Sequence, residues 1–334
     1  IIQKNNYNYL KLTVTEDDTR FFFKFGLHYD EIFKTGLLLN ATAKRLLFRN
    51  SIISLDVVVG DKPRYYFNYF IDNGYIPGIG AYASGMTLDL TDINSTEYER
   101  WNWFRNELFI QSIWWDKYAI GGGISHDYFE SKFAGIKTYS NSKNFVNAYV
   151  FIKTDTQDDK SFPSKGLFLH AEGKALDLLN DEQEGRTVQM KITSQLNFPL
   201  SPRLTFRLGL FGGITVGEEL SNYYRYRIGG IFEQNLGNFV KLMGYEFGQL
   251  DTQNLLVATN SLQYNVHKNY FLTGHFSIAN LFNDVKVDDI LHINETSAGL
   301  TAGYKSPFGQ IKFNYSRSLT QNNNVFSVIL GHWF

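Results

Sequence analysis

The chain has 334 residues, a formal net charge of −1 and no cysteine. Such a balanced charge, without runs of lysine or arginine, argues against a nucleic-acid partner, and a chain without cysteine has no disulfide, thiolate nucleophile or cysteine-ligated zinc. No apolar stretch approaches the ~20 residues that a membrane-spanning helix needs, so helical membrane spans are excluded as well.

From about residue 20 onward, apolar and polar side chains alternate along most of the chain, which is the period of a β-strand. The alternation is clearest at residues 187–198, where Met190 and Ile192 fall on one face and Gln189 and Lys191 fall on the other. In chain order it predicts sixteen strands, at residues 20–29, 34–43, 51–60, 63–71, 77–89, 98–113, 117–130, 145–154, 166–175, 187–198, 202–214, 254–266, 268–280, 296–305, 309–318 and 324–334.

Two arrangements can accommodate strands with one apolar and one polar face. A soluble antiparallel sheet would pack the apolar face on a core and leave the polar face in water. A closed barrel would instead turn the apolar face to lipid and the polar face to a lumen. The polar faces carry charge over full strand lengths, and few helical stretches could cover the apolar faces. We therefore predict an all-β fold, a sixteen-stranded antiparallel transmembrane β-barrel.

The connections between the predicted strands alternate in length. Turns such as 198–203 and 266–269 are short, whereas several connections of the opposite parity are long and polar, for example 131–144 and 281–295. Short periplasmic turns and longer extracellular loops are typical of an outer-membrane barrel. This asymmetry predicts the outer membrane of a Gram-negative bacterium, with both termini in the periplasm.

The longest connection, residues 215–253, is too apolar for a solvated surface loop. It holds Ile228, Phe239 and Leu242 among other large apolar residues. We predict that this sixth extracellular loop folds inward and plugs the lumen, with Arg225 or Arg227 near a wall carboxylate such as Glu172. The alternative is an exposed loop that lies over the rim or against another protein.

The end of the chain continues the alternation, with Phe326, Val328, Leu330 and Phe334 on one face of the last predicted strand. A chain rarely ends on apolar residues in water, because termini are usually solvated. We therefore interpret these four residues as the barrel-closing signal, with their face in lipid and Phe334 at the periplasmic interface.

Residues that could carry chemistry do not form a credible catalytic or metal site. Ser125, His126 and Asp127 are consecutive on a predicted strand, so His126 would point away from both neighbours and no proton relay could form. The acidic run at residues 155–159 could bind a cation, but it lacks the glycine and glutamate of a calcium loop, and a solvated turn is the simpler interpretation. We predict no catalytic residue, no cofactor and no metal in this chain.

One turn carries a resemblance to a known family. Residues 154–166, TDTQDDKSFPSKG, resemble the D-T-x-D-x-x-x-F-P-x-x-G turn of the surface-antigen barrel, the sixteen-stranded barrel of the outer-membrane insertase and two-partner secretion superfamily. The matching residues of this periplasmic turn are Asp155, Asp158, Phe162, Pro163 and Gly166. Residues 44–50, KRLLFRN, are similar to the first periplasmic turn of the same family.

Within that superfamily, residues 23–50 and 226–250 are most similar to the barrels of patatin-like phospholipases from Bacteroidetes. The resemblance implies that residues 20–334 are the outer-membrane barrel and that residues 1–19 are the tail of a POTRA-like periplasmic module. In that family a lipase domain with a G-x-S-x-G nucleophile precedes the module. The chain itself would then not be an enzyme, although the parent protein would be a lipid acyl hydrolase.

The sixth loop departs from the insertase pattern, in which an Arg-Gly-Tyr motif occupies the loop tip. The corresponding residues read Met243-Gly244-Tyr245, so the arginine is missing, although Arg225 and Arg227 could supply a charge nearby. The predicted sixth-loop motif comprises Arg225, Arg227, Gly229, Gly230, Met243, Gly244 and Tyr245.

The resemblance implies an outer-membrane anchor and translocator barrel of a patatin-like phospholipase, related to type V secretion proteins. Its partners would be outer-membrane lipid, the barrel-assembly machinery during insertion, and the chain's own N-terminal periplasmic and lipase domains. A homodimer is a further option. The alternatives are a general porin or solute channel, a protein-translocating or insertase barrel of the same superfamily, and an outer-membrane enzyme with its site on the barrel.

Overall fold

The computed structural model describes residues 2–4, 7–9, 19–91, 98–133, 139–179, 186–217, 220–232, 236–285 and 292–331. Within these residues sixteen antiparallel strands form one closed barrel, and each strand pairs with its neighbours in the chain. The strands are β1 (Phe21–Asp30), β2 (Lys34–Lys44), β3 (Ser51–Gly60), β4 (Arg64–Ile71), β5 (Gly78–Thr91), β6 (Tyr98–Trp114), β7 (Tyr118–Phe133), β8 (Tyr139–Asp155), β9 (Gly166–Leu176), β10 (Thr187–Pro199), β11 (Leu204–Val216), β12 (Asn254–His267), β13 (Tyr270–Phe282), β14 (Glu295–Ser306), β15 (Gly309–Ser318) and β16 (Asn324–Gly331).

The sequence prediction of an all-β, sixteen-stranded antiparallel barrel is confirmed. Strand bounds differ from the predicted ones by a few residues, and the largest difference is that β8 begins at Tyr139 instead of Phe145. No helix in the described part of the chain is long and apolar enough to cross a membrane. Residues Ile2–Lys4 and Tyr7–Tyr9 form a separate two-stranded sheet, and most of the segment 9–17 lies outside the described residues.

The polar faces of the strands point into the lumen and the apolar faces point outward, as the alternation predicts. Along β15, Lys312 and Asn314 are buried in the lumen, whereas Phe313 and Tyr315 are about half exposed on the outside. Along β10, Gln189 is buried, and it hydrogen-bonds to a lumenal loop. Because every strand has one apolar and one polar environment, a shift of a single residue would exchange the two faces.

An Ile192→Lys variant tests the assignment of the outer face. Ile192 is 46% exposed near the middle of β10. We expect the variant to lose about 2–4 kcal/mol of unfolding free energy, the cost of a lysine on the lipid face at mid-membrane. Urea unfolding midpoints in phospholipid vesicles measure the loss. Ile192→Leu is the matched control, and an unaltered midpoint for the lysine variant would contradict a lipid-facing position.

The connections divide the barrel into two rims. The short-turn rim carries the turns 45–50, 72–77, 115–117, 156–165, 200–203, 268–269 and 307–308, and the opposite rim carries the longer connections, including 217–253.

The β1–β2 connection belongs to the opposite rim but is short. The Asp30 carboxylate accepts the backbone N–H groups of Ile32 and Phe33 at 2.9 and 2.6 Å, and both apolar side chains are buried. This turn therefore points into the barrel.

Candidate functional site

The described residues of the loop 217–253 lie inside the barrel. Its described part contains three short strands, at Tyr226–Ile228, Phe239–Val240 and Leu250–Thr252, which form a small sheet of their own. This pairing satisfies backbone groups that would be costly to bury alone. Six large side chains of the described part of the loop are almost completely buried: Tyr226, Ile228, Phe232, Leu236, Leu242 and Tyr245. The predicted inward-folded sixth loop is confirmed, and we refer to residues 217–253 as the plug.

One side of the plug packs on an aromatic wall formed by β6, β7 and β8. Tyr223 lies 4.8 Å from Phe129 and 5.1 Å from Trp101, measured between ring centroids. Tyr224 lies 5.0 Å from Phe145. Aromatic pairs at such separations contribute beyond their buried area, by roughly 0.5–1.5 kcal/mol each. Ring packing thus holds the loop against the barrel wall, and the small internal sheet holds the loop in its own shape.

A buried carboxylate connects this wall to the plug. Asp127 on β7 is fully buried and accepts hydrogen bonds from Arg105 (2.7 Å), Trp103 Nε1 (3.0 Å), Asn147 (2.9 Å) and the Tyr224 hydroxyl (2.9 Å). Burial raises the pKa of the Tyr224 hydroxyl well above its usual value, and the neighbouring Asp127 charge adds to the effect. Tyr224 therefore remains a neutral donor to Asp127 at physiological pH.

The second wall charge cluster lies on β9 and β10. Glu172 pairs with Lys191 on the neighbouring strand at 3.1 Å and with Lys174 on its own strand at 3.8 Å. The prediction of an arginine from the loop beside Glu172 is wrong. Arg225 instead donates to Asp251 within the plug at 2.5 Å, and Arg227 stacks over the Trp101 ring at 5.5 Å. Inside the loop, Arg227 pairs with Asp251 across two short strands. This pairing places the Asp251 carboxylate closer to Arg225 than any carboxylate of the barrel wall.

The tip of the plug contacts the opposite wall, on β14 and β15. The Gly244 N–H donates to Ser316 Oγ at 2.9 Å, and the Ser318 hydroxyl donates to Tyr245 at 2.7 Å. Tyr245 also hydrogen-bonds to Glu295, and burial followed by this contact raises the pKa of Tyr245 to about 12. Met243 approaches Gly299 on β14. The plug therefore spans the lumen between two separate parts of the wall.

Two glycines of the predicted sixth-loop motif shape the plug from within. Gly229 and Gly230 have φ angles of +125° and +80°, which residues with a side chain rarely adopt. Their N–H groups donate to the carbonyls of Val240 (3.0 Å) and Tyr245 (2.9 Å). Within the predicted motif, Gly230 and Tyr245 are therefore joined directly, whereas Arg225, Arg227, Met243 and Gly244 contact different parts of the plug and its walls.

Where it is described, the closing strand alternates between the two faces of the barrel wall. Phe326 is 59% exposed on the outer face, which Val328 and Leu330 share, while Ser327 and Ile329 are buried inside. Phe334 lies outside the described residues. In the described part, β16 joins β1 through only two residue pairs, Leu330–Tyr29 and Gly331–His28.

The periplasmic-turn motif forms a compact connection between β8 and β9. Asp158 accepts the N–H groups of Ser164 and Lys165 at 2.8 and 3.1 Å, and Asp155 accepts that of Gln157 at 3.1 Å. Burial alone would raise the pKa of Asp158, but the hydrogen bonds from Ser164 and Lys165 lower it overall. These acidic groups thus serve as backbone caps.

The remaining motif residues hold the same turn in shape. Gly166 has a φ of +99°, and a Cβ there would lie 2.2 Å from the Thr156 carbonyl oxygen. Phe162 and Pro163 are buried. The solvated turn predicted for residues 155–159 agrees with the exposure of Asp155 and Asp158, whereas Phe162 and Pro163, which follow that run, enter the lumen.

The consecutive Ser125, His126 and Asp127 do not form a relay, as predicted. Ser125 and Asp127 face the lumen and are fully buried, whereas His126 hydrogen-bonds to Asn144 on the other face of the sheet. Sequence reasoning missed the structural role of Asp127. The available signal was an acid and an arginine, Asp127 and Arg105, at the middle of two adjacent predicted strands.

The family model of the OMP85 superfamily matches residues 8–334. No curated protein matches the chain by sequence. Among solved structures, BamA from Haemophilus ducreyi lacking POTRA domains 1–3 is similar with a TM-score of 0.73 and 13% identity, over 96% of this chain and 71% of that one.

Two further structures share the fold. CdiB from Acinetobacter baumannii has a TM-score of 0.61 and 13% identity, over 92% of this chain and 60% of that one. CdiB from Escherichia coli has a TM-score of 0.64 and 9% identity, over 95% of this chain and 64% of that one. The chain therefore spans less than two thirds of either CdiB.

Proposed function

The chain belongs to the OMP85 superfamily, and we propose that it is the outer-membrane anchor and translocator barrel of a patatin-like phospholipase. The barrel of this superfamily is an outer-membrane structure. The observation that carries the proposal is the plug, which is packed against both sides of the lumen. A lumen filled in this way favours a barrel that opens for a specific passenger over a permanently open channel.

The phospholipase part of the proposal is supported by the resemblance of residues 23–50 and 226–250 to patatin-family barrels. Within the second segment, Gly229, Gly230 and Gly244 all have positive φ and shape the plug. In this proposal lipid acyl hydrolysis resides in a domain other than this barrel. The first barrel strand begins and the described part of the last one ends at the short-turn rim, which we assign to the periplasm, where preceding periplasmic domains would join the barrel.

The test of the phospholipase proposal begins with the genomic sequence that precedes the codon for Ile1. We expect a POTRA-like module and, before it, a G-x-S-x-G motif. Replacing the serine of that motif with alanine in the full-length protein should abolish acyl-ester hydrolysis and leave heat-modifiable barrel insertion unchanged. A different upstream domain, or hydrolysis that survives the substitution, would refute the assignment.

A protein-inserting barrel of the same superfamily is the second candidate, favoured by the fold shared with BamA. The Met243-Gly244-Tyr245 tip lacks the arginine of the insertase motif, which counts against this candidate. Depletion of the protein in its host separates the two. Lower levels of unrelated outer-membrane barrels would support insertion, and unchanged levels together with a missing passenger would support the dedicated translocator.

A porin is a further alternative, and the plug counts against it. We expect purified protein in a planar bilayer to show a mostly closed baseline. Large, steady conductance steps from the wild-type chain would favour a general channel and contradict the proposed closed lumen. Outer-membrane lipid, the assembly machinery and a second copy of the chain remain proposed partners.

A further inference from the structure

The β8–β9 turn does more than connect two strands. Residues 156–165, hereafter the strap, leave the wall at β8 and return at β9, but their contacts are with lumen-facing residues of β12, β13, β14 and β15. The strands β10 and β11 lie between β9 and this contact area. The strap therefore crosses the lower lumen beneath the plug.

The centre of the contact is the Phe162 ring. It stacks on Phe271 of β13 with 4.3 Å between centroids and an interplanar angle of 5°. It also covers Gly303 of β14, where a Cβ would lie 2.4 Å from the ring, and the Lys312 ammonium lies 5.0 Å from the ring centroid. Phe162 is only 5% exposed. A ring in a fitted recess with a cation at its face is a specific contact.

Polar contacts hold the strap on both sides of this ring. Asp159 pairs with Lys305 at the end of β14 and accepts the N–H of Phe162 at 2.9 Å, which orients the ring. The Pro163 carbonyl accepts a hydrogen bond from Gln263 of β12 at 3.3 Å. Gln263 in turn accepts one from Arg207 of β11 at 2.9 Å. The strap is thus anchored to four strands, β12 to β15, that lie outside its own hairpin.

We propose that the strap is a gate: residues 156–165 close the lumen at the short-turn rim, independently of the plug, and their release opens the lower lumen. The plug contacts β10 at Gln189, well above the level at which the strap crosses. The lumen then has two closures in series. Such a gate goes beyond the proposed function, and it would operate whatever substrate passes through the barrel.

A single reporter thiol tests the gate. The chain has no cysteine, so Thr193→Cys introduces a unique thiol. Thr193 faces the lumen on β10 between Gln189, which contacts the plug, and Asn197 near the short-turn end. We expect slow labelling by a fluorescent maleimide in the otherwise wild-type protein in lipid nanodiscs. Labelling should become faster when Phe162→Ala or Gly303→Val displaces the strap.

Gly209→Ala is the matched control for the glycine substitution. Gly209 also faces the lumen, on β11, but a Cβ there would meet its nearest atom at 3.8 Å, an ordinary contact. Its labelling rate should equal that of the reporter alone. If Gly303→Val fails to give heat-modifiable barrel, Phe162→Ala decides the question. Equal labelling rates in the reporter protein and in the inserted strap variants would overturn the gate.

A reversible cross-link provides the converse measurement. Asp159→Cys and Lys305→Cys, in a protein without the Thr193→Cys reporter, can be joined by a short bis-methanethiosulfonate reagent, which forms one disulfide with each thiol, releases sulfinate and is later cleaved by reduction. We expect the cross-link to form with high yield in the folded protein, because the native side chains are in contact. A pair that cannot be joined would show that the strap does not lie across the lumen.

Discussion

An Asp127→Ala variant should lose about 3–5 kcal/mol of unfolding free energy, because it leaves the Arg105 guanidinium buried without its main counter-ion. Asp127 is fully buried, and the Arg105 side chain is only 16% exposed. Glu107, whose carboxylate lies 3.6 Å from Arg105, offers partial compensation and places the loss toward the lower end of the range. Urea unfolding midpoints in phospholipid vesicles, followed by tryptophan fluorescence, measure the loss.

A double variant separates charge burial from lost packing. Arg105→Met together with Asp127→Leu removes both charges and keeps apolar volume, so we expect a much smaller loss than for Asp127→Ala alone. Both variants should also loosen the plug, because the Tyr224 hydroxyl loses its Asp127 acceptor in each. Trypsin should then cut at Arg225 and Arg227. Equal losses in the single and double variants would contradict the ion-pair explanation.

The strands were predictable because each of them has two unlike surroundings. In β10, a one-residue shift would place Lys191 in lipid and Ile192 in the lumen, so the alternation determines the face of every side chain. The same reasoning located the closing strand from Phe326, Val328 and Leu330. The inward course of residues 217–253 was predictable from an apolar content that water would not tolerate.

Specific partners were not predictable, because they depend on which strands become neighbours across the lumen. Arg225 was expected beside Glu172, but the internal sheet of the plug supplies Asp251. Likewise the sequence analysis did not predict the burial of the Phe-Pro corner at Phe162 and Pro163. Its burial depends on Gly303, a residue that is distant in the chain and that leaves room for a ring only after the barrel has closed.

A Gly244→Ala variant should detach the tip of the plug from the wall. Gly244 has a φ of +80°, and a Cβ there would lie 2.3 Å from the Ser318 backbone nitrogen and 2.5 Å from the Arg317 carbonyl carbon. Backbone atoms of a barrel strand cannot move aside easily, so the plug must move instead. We expect a lower urea midpoint and faster trypsin cleavage at Lys241, which is already exposed within the plug.

Gly74→Ala is the control that separates collision from backbone strain. Gly74 has a φ of +66° in the β4–β5 turn, but a Cβ there would meet no atom within 4 Å. Its free energy of unfolding should fall only by the cost of an alanine in the left-handed conformation, roughly 1–2 kcal/mol. Gly244→Ala carries this cost and the collision with β15, so its loss of unfolding free energy should be larger, and only this variant should be cut faster by trypsin at Lys241. Equal midpoints and equal trypsin resistance in the two variants would mean that the tip is not docked on β15, and the lumen would then have to be closed by the strap and the aromatic wall alone.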